Sequence, residues 1–167
     1  KGLLVYELKQ NRWKLQDIHF IGLPVGAFHQ DEDKQWWVAI NHKHWGTKLY
    51  KSNDQGESFQ QLNTPKFDKE SEHALKAVWA FKTHKGKVYL GTEPAALFKL
   101  AGDTFNEVKS LSQHPSRPNW QGGGKGSKSP FLHTILFHPT DENELIVGIS
   151  CAGIFRSTDQ GFTWSPS

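Results

Sequence analysis

The chain has one cysteine, Cys151, in 167 residues. An intramolecular disulfide is therefore excluded, and the thiol count favours a reducing, cytoplasmic compartment. No run of about 18 consecutive apolar residues occurs, so no membrane-spanning helix and no membrane partner are expected. Basic residues are scattered and the formal net charge is +3, which gives no basic stripe of the kind that nucleic acid requires. Methionine is absent and the chain opens on Lys1, so its natural start is left open. Arginine is scarce as well, with only Arg12, Arg117 and Arg156.

Aromatic residues are plentiful. Seven Trp and eleven Phe in a chain that is 36% hydrophobic are ample for a packed core. The chain also repeats itself. Ser52-Asn53-Asp54-Gln55-Gly56-Glu57-Ser58-Phe59 and Ser157-Thr158-Asp159-Gln160-Gly161-Phe162-Thr163-Trp164 share the layout Ser-x-Asp-x-Gly-x-Ser/Thr-aromatic. A worn copy runs from Leu97 to Phe105, and a relic spans Leu4 to Leu8, closing on Trp13. A self-similar unit of this size marks a repeat protein.

The chemistry of the repeat is that of a stapled turn. Asp54 and Asp159 can accept backbone N–H groups as Asx-turns do. Gly56 and Gly161 permit positive φ, and Phe59 and Trp164 bury a ring between neighbouring strands. Ser52 and Ser157 complete each turn. Folding accounts for every position, so these residues read as structural.

Strand signals precede the repeats. Val25–Phe28, Val78–Phe81 and Thr134–Phe137 are expected as first strands, and Trp37–Ile40, Val88–Leu90 and Leu145–Val147 as second strands. The repeat hairpin supplies the third and fourth. Four short strands per unit of about 45–55 residues predict an all-β fold, a β-propeller of four-stranded antiparallel blades. Residues 1–167 hold about three to three and a half blades of one domain, because Leu3–Leu8 and Trp13–Leu15 read as the last two strands of a blade. Since propellers close with 4–8 blades, the expectation is the N-terminal half of a longer ring. Either the remainder of that ring or another copy would cover the open edges.

The repeat resembles the Asp-box of the BNR-repeat family, found in sialidases, sortilin-type receptors and several glycoside hydrolases. His44-Trp45-Gly46, Gly91 to Phe98, the Trp120–Gly124 loop with Leu132-His133, and Ile149 to Gly153 are similar to bacterial glycosyl-hydrolase-like BNR-repeat propellers. The resemblance spans nearly the whole chain. It implies a sialidase-like glycoside hydrolase, a carbohydrate-binding propeller or a protein-interaction scaffold. A sialidase would need an arginine cluster and a nearby Tyr, whereas Tyr6, Tyr50 and Tyr89 fall within strands.

Strand counting sorts the loops. The Asp-box turns share one face with the acidic turn Asp31-Glu32-Asp33. The opposite face collects His42, His44, Trp45, Glu93, Cys151, Trp120 and His133, on loops of the kind that carry function. His42, His44, Glu93 and His133 are acceptable metal-ligand types, but no close-spaced motif joins them, so neither metal nor cofactor is called for. Trp45 and Trp120 can each stack on a sugar or wedge between blades. Glu93 is the best candidate for a ligand-contacting or proton-transferring carboxylate; the alternative is an anchor for backbone N–H groups. Cys151 reads as a small packed residue. Gly122–Ser129 lacks the Gly that a phosphate loop places before Lys128, and reads as a flexible loop. The expected function is binding of a small molecule or carbohydrate at the channel mouth opposite the Asp-boxes, by His42, His44, Trp45, Glu93, Trp120 and His133.

Overall fold

The second strands of the repeat break the usual in–out alternation. In a computed structural model that describes residues 1–68, 71–122 and 128–167, Trp36 to Ile40 are all buried: Trp37 and Ala39 enter the core shared with the next sheet, and Trp36 meets His19 and Phe28 edge-on. The described residues form four antiparallel sheets, each built in chain order. A hairpin of Leu3–Lys9 (β1) and Arg12–His19 (β2) stands first. A four-stranded sheet follows: Val25–Gln30 (β3), Trp36–His42 (β4), Gly46–Ser52 (β5) and Gln60–Leu62 (β6). The next contains Ala77–His84 (β7), Lys87–Glu93 (β8), Leu97–Ala101 (β9) and Thr104–Glu107 (β10). The last contains Leu132–Phe137 (β11), Leu145–Ile149 (β12), Gly153–Ser157 (β13) and Ser165–Pro166 (β14). Among the described residues the only helical elements are Lys109–Ser112 (α1) and a 3-10 turn at Arg117–Asn119. No helix among them is long and apolar enough to cross a membrane.

Each four-stranded sheet is one blade, and the hairpin β1–β2 supplies half of another. The Gln10-Asn11 turn of that hairpin has φ of 50° and 59°, the paired positive values that a two-residue type I′ turn requires. Its cross-strand pairs Leu4 with Ile18, Tyr6 with Leu15 and Leu8 with Trp13 line up along one side, and all six are exposed.

The blades stack through small residues. A Cβ on Gly91 would come within 2.4 Å of the Leu132 carbonyl oxygen, so only glycine lets β11 approach β8 this closely. Between the first two blades, Asn41 Nδ2 donates to the Val78 carbonyl at 2.9 Å and Asn41 Oδ1 accepts the Val78 N–H at 3.0 Å. Two apolar cores result. One gathers Trp37, Leu49, Leu90 and Phe98 between the first and second blades. The other gathers Leu97, Leu111, Phe155 and Trp164 between the second and third.

Both complete repeats fold alike. Ser52 Oγ donates to Asp54 Oδ1 at 2.7 Å and accepts the Gly56 N–H at 2.8 Å. Asp54 then accepts the N–H and hydroxyl of Ser58 at 2.9 and 2.5 Å. Ser157, Asp159, Gly161 and Thr163 reproduce this set at 2.8, 2.8, 2.8 and 2.5 Å. The glycines have φ of 104° and 92°. The worn copy shrinks to the tight Gly102-Asp103 turn between β9 and β10, yet Phe105 is still buried.

The register corrects one strand alignment. Each inner strand skips one residue, at Gly26, Trp79 and His133. Leu132 to Ile135, not Thr134 to Phe137, is therefore the counterpart of Val78 to Phe81. Residues 69–70 and 123–127 lie outside the described residues, and with them most of the loop expected at Gly122–Ser129.

Candidate functional site

The three skipped residues are β-bulges, which re-aim a side chain at the rim of a sheet. At Gly26 a Cβ would fall 1.9 Å from the Asn41 amide nitrogen and displace the side chain that clasps Val78. In the other two blades the bulge carries a large ring side chain instead, and both Trp79 and His133 are exposed. They stand at the end of β7 and β11 that also holds the ends of β4, β8 and β12. The Ser-x-Asp-x-Gly turns occupy the other end, where Gln160 bonds to Asn143 of the turn between β11 and β12.

An aromatic ladder links the two bulges. The Trp79 ring stacks on Phe131 at 4.3 Å with planes 19° apart, and Phe131 meets His133 edge-on at 5.8 Å. Glu93 closes the arrangement at the end of β8. Its Oε2 accepts the Trp79 indole N–H at 3.2 Å and its Oε1 accepts the Ser129 hydroxyl at 3.2 Å. Lys76 donates from its ammonium to Ser129 Oγ at 2.9 Å, and from its backbone N–H to the Glu93 carbonyl at 2.8 Å. His133 Nδ1 shares a 2.8 Å hydrogen bond with Thr134 Oγ1. The result is a half-exposed indole, an imidazole, a carboxylate and an ammonium along one rim. Such a group can stack on a ring and bond its polar substituents.

Glu93 also has a structural counterpart. It follows β8 residue Thr92 as Asn41 follows β4 residue Ile40, each the residue after the partner of the inner-strand residue that precedes the bulge. Asn41 clasps the next blade through Val78, and Glu93 reaches toward the next blade through Ser129.

His42, His44 and Trp45 form a separate cluster. His42 Nδ1 accepts the N–H groups of His44 and Trp45, both at 3.2 Å, so this nitrogen carries no proton. The imidazole lies flat on Trp45, with centroids 4.1 Å apart and planes at 14°. Just after this loop, Thr47 Oγ1 donates to the Lys76 carbonyl at 3.2 Å.

Trp120 takes the wedge position. It is buried, with its Nε1–H on Ser116 Oγ at 2.9 Å, Phe155 at 5.0 Å and the Arg117 guanidinium 4.7 Å from its ring. Burial pulls the Arg117 guanidinium below its ordinary value, opposed by the charge of Glu107, and its Nη1 donates to the Ala95 carbonyl at 2.8 Å. Cys151, expected to be packed, is exposed in a turn with φ of 55°. Among the described residues, no three His, Cys, Asp or Glu side chains converge as metal ligands.

Sequence reasoning passed over Trp79 and Phe131. The signal was present in the tandem alignment: matching Val25-Gly26, Val78-Trp79 and Leu132-His133 puts Trp79 in the position of His133.

Taken together, the stacked four-stranded sheets and the ring of inner-strand bulges define an arc of a β-propeller. No protein-family model matches the chain, and no curated protein matches it. Among solved structures it is similar to YCF48 bound to D1 peptide, with 10% identity and a TM-score of 0.39 over 93% of this chain and 58% of that one. The chain thus spans less than two thirds of the length of that protein.

Proposed function

We propose that this is a propeller of the Asp-box, BNR-repeat type that binds a small molecule or carbohydrate at the mouth opposite the Asp-box turns. The observation that carries the reading is the Trp79–Phe131 stack, held by the Glu93 carboxylate beside His133. A rigid indole with an anchored N–H presents an oriented apolar face to a ring, and Glu93, Lys76 and His133 supply polar selectivity. His42, His44 and Trp45 form their own cluster and stand outside this mouth site. The test is a binding titration with a panel of monosaccharides and glycosides, comparing the parent with Trp79→Ala and Glu93→Gln. Loss of binding in folded variants supports the mouth as the site, and unchanged binding refutes it.

The arginines give a sialidase reading little support. Arg12 lies on the β1–β2 hairpin, Arg117 bonds to Ala95, and Arg156 forms a two-point ion pair with Glu144 at 2.9 and 2.7 Å.

A second observation favours a longer ring. Ile154 pairs with Gly148 as Leu49 pairs with Ala39 and Leu97 with Gly91. Leu49 and Leu97 are fully buried under the next blade, whereas Ile154 is 51% exposed. We infer that residues 1–167 belong to a larger propeller whose following blade covers Ile154.

A further inference from the structure

Trp45 does not stand alone. It is 68% exposed, with His42 flat against one face of the ring, and it borders a groove of about 810 Å³ between the outer strands of the first and second blades. That volume falls within the roughly 300–1,000 Å³ of small-molecule sites. Thr47, Gln61, Asn63 and Asn106 line it, an inventory of amides and hydroxyls that can both donate and accept. Asn63 Nδ2 donates to the Asp103 carbonyl at 3.1 Å, tying the two blades together at this point.

The charges nearly cancel. Lys48, Lys66 and Lys109 face Asp68 and Glu107, three against two, and Lys109 pairs with Asp68 at 2.5 Å. A strongly charged ligand has little to gain here. An added peptide strand is poorly served as well, because the bordering strands β6 and β10 are three and four residues long and strand addition depends on a run of backbone pairs.

From this we infer a second binding site, distinct from the mouth, that takes a neutral oligosaccharide: one sugar ring stacks on Trp45, and its neighbours bond to the amides of Gln61, Asn63 and Asn106. The His42 lone pair, by holding the N–H groups of residues 44 and 45, fixes the loop that carries the platform before any ligand arrives.

The test uses the intact protein and a panel of neutral tetrasaccharides of glucose, mannose, galactose and N-acetylglucosamine. Binding is followed by calorimetry and by the indole N–H resonance of Trp45. At least one tetrasaccharide moves that resonance. Trp45→Ala weakens its binding about ten-fold, the change that about 1.4 kcal/mol of lost stacking produces, and Asn106→Ala weakens it too. Trp45→Phe restores part of the affinity, and Trp79→Ala leaves it unchanged. The inference is overturned if no tetrasaccharide moves the Trp45 resonance, or if only extended peptides do. It is equally overturned if binding survives Trp45→Ala but is lost in Trp79→Ala, since the ligand then sits at the mouth.

Discussion

The indole N–H of Trp79 donates to the carboxylate of Glu93 across 3.2 Å, joining a bulge on an inner strand to the end of the strand beside it. A buried ring would need such a partner simply to satisfy its N–H. Trp79 is 42% exposed, where water could serve equally well, so the bond orients the ring instead.

The Ser-x-Asp-x-Gly turns make a separate prediction about stability. Ser157 is 1% exposed and its Oγ satisfies the buried Gly161 N–H. Ser157→Ala leaves that donor unpaired and is expected to cost roughly 1–3 kcal/mol. Urea denaturation measures it, and a variant as stable as the parent would contradict the stapled-turn account.

Acid should dismantle these turns late. Hydrogen bonds from the Thr163 hydroxyl and N–H, and then from Ser157, lower Asp159 from 3.8 to about 2. The Ser58 hydroxyl and N–H, with Ser52, push Asp54 well below the carboxylate range. A folded value below the unfolded one contributes stability that is present above the unfolded value and fades as pH falls toward the folded one. The contribution therefore persists at neutral pH and drains away from about pH 4 toward about pH 2. Stability measured along that window should fall less steeply in Asp159→Asn than in the parent. Equal slopes would mean that the aspartate is not held as described.

Blade spacing can be tested at Gly91. Its missing Cβ would meet the Leu132 backbone at 2.4 Å, and backbone yields less readily than a flexible side chain. Gly91→Ala is expected to destabilise by about 1–3 kcal/mol, as overpacking does. A neutral melting temperature would show that the second and third blades are not in close register.

The clasp at Asn41 predicts a similar loss. Asn41→Ala removes both bonds to Val78 and opens space beside Gly26. Two backbone groups then lose their partner, and a loss of about 1–3 kcal/mol is expected. Hydrogen exchange at the Val78 amide should rise, and unchanged protection would contradict the clasp.

Much of the fold was legible because its signals are local. A Ser, an Asp and a Gly at fixed offsets specify a turn whatever surrounds them, and two such turns, a worn third and the paired strand runs before each place the blades. The bulges were not legible. A one-residue skip changes no composition and leaves the apolar pattern of β11 readable in two registers, so Leu132-His133 was separated from its strand. The site suffered for the same reason. His133 and Glu93 stood out by residue type, but Trp79 lay inside an apolar run and was read only as part of a first strand. Trp120 was open between a sugar platform and a wedge between blades, and Phe155 and Arg117 close over it. Only packing across blades decides such cases, and that is non-local.

The central claim, a ligand-binding mouth built on Trp79 and Glu93, is tested most directly by the indole N–H resonance of Trp79 during titration with the glycoside panel. The account predicts that a binding ligand shifts this resonance, and that Trp79→Ala abolishes binding while the melting temperature holds. A ligand that binds equally well to Trp79→Ala, or that leaves the resonance unmoved at saturation, would contradict it.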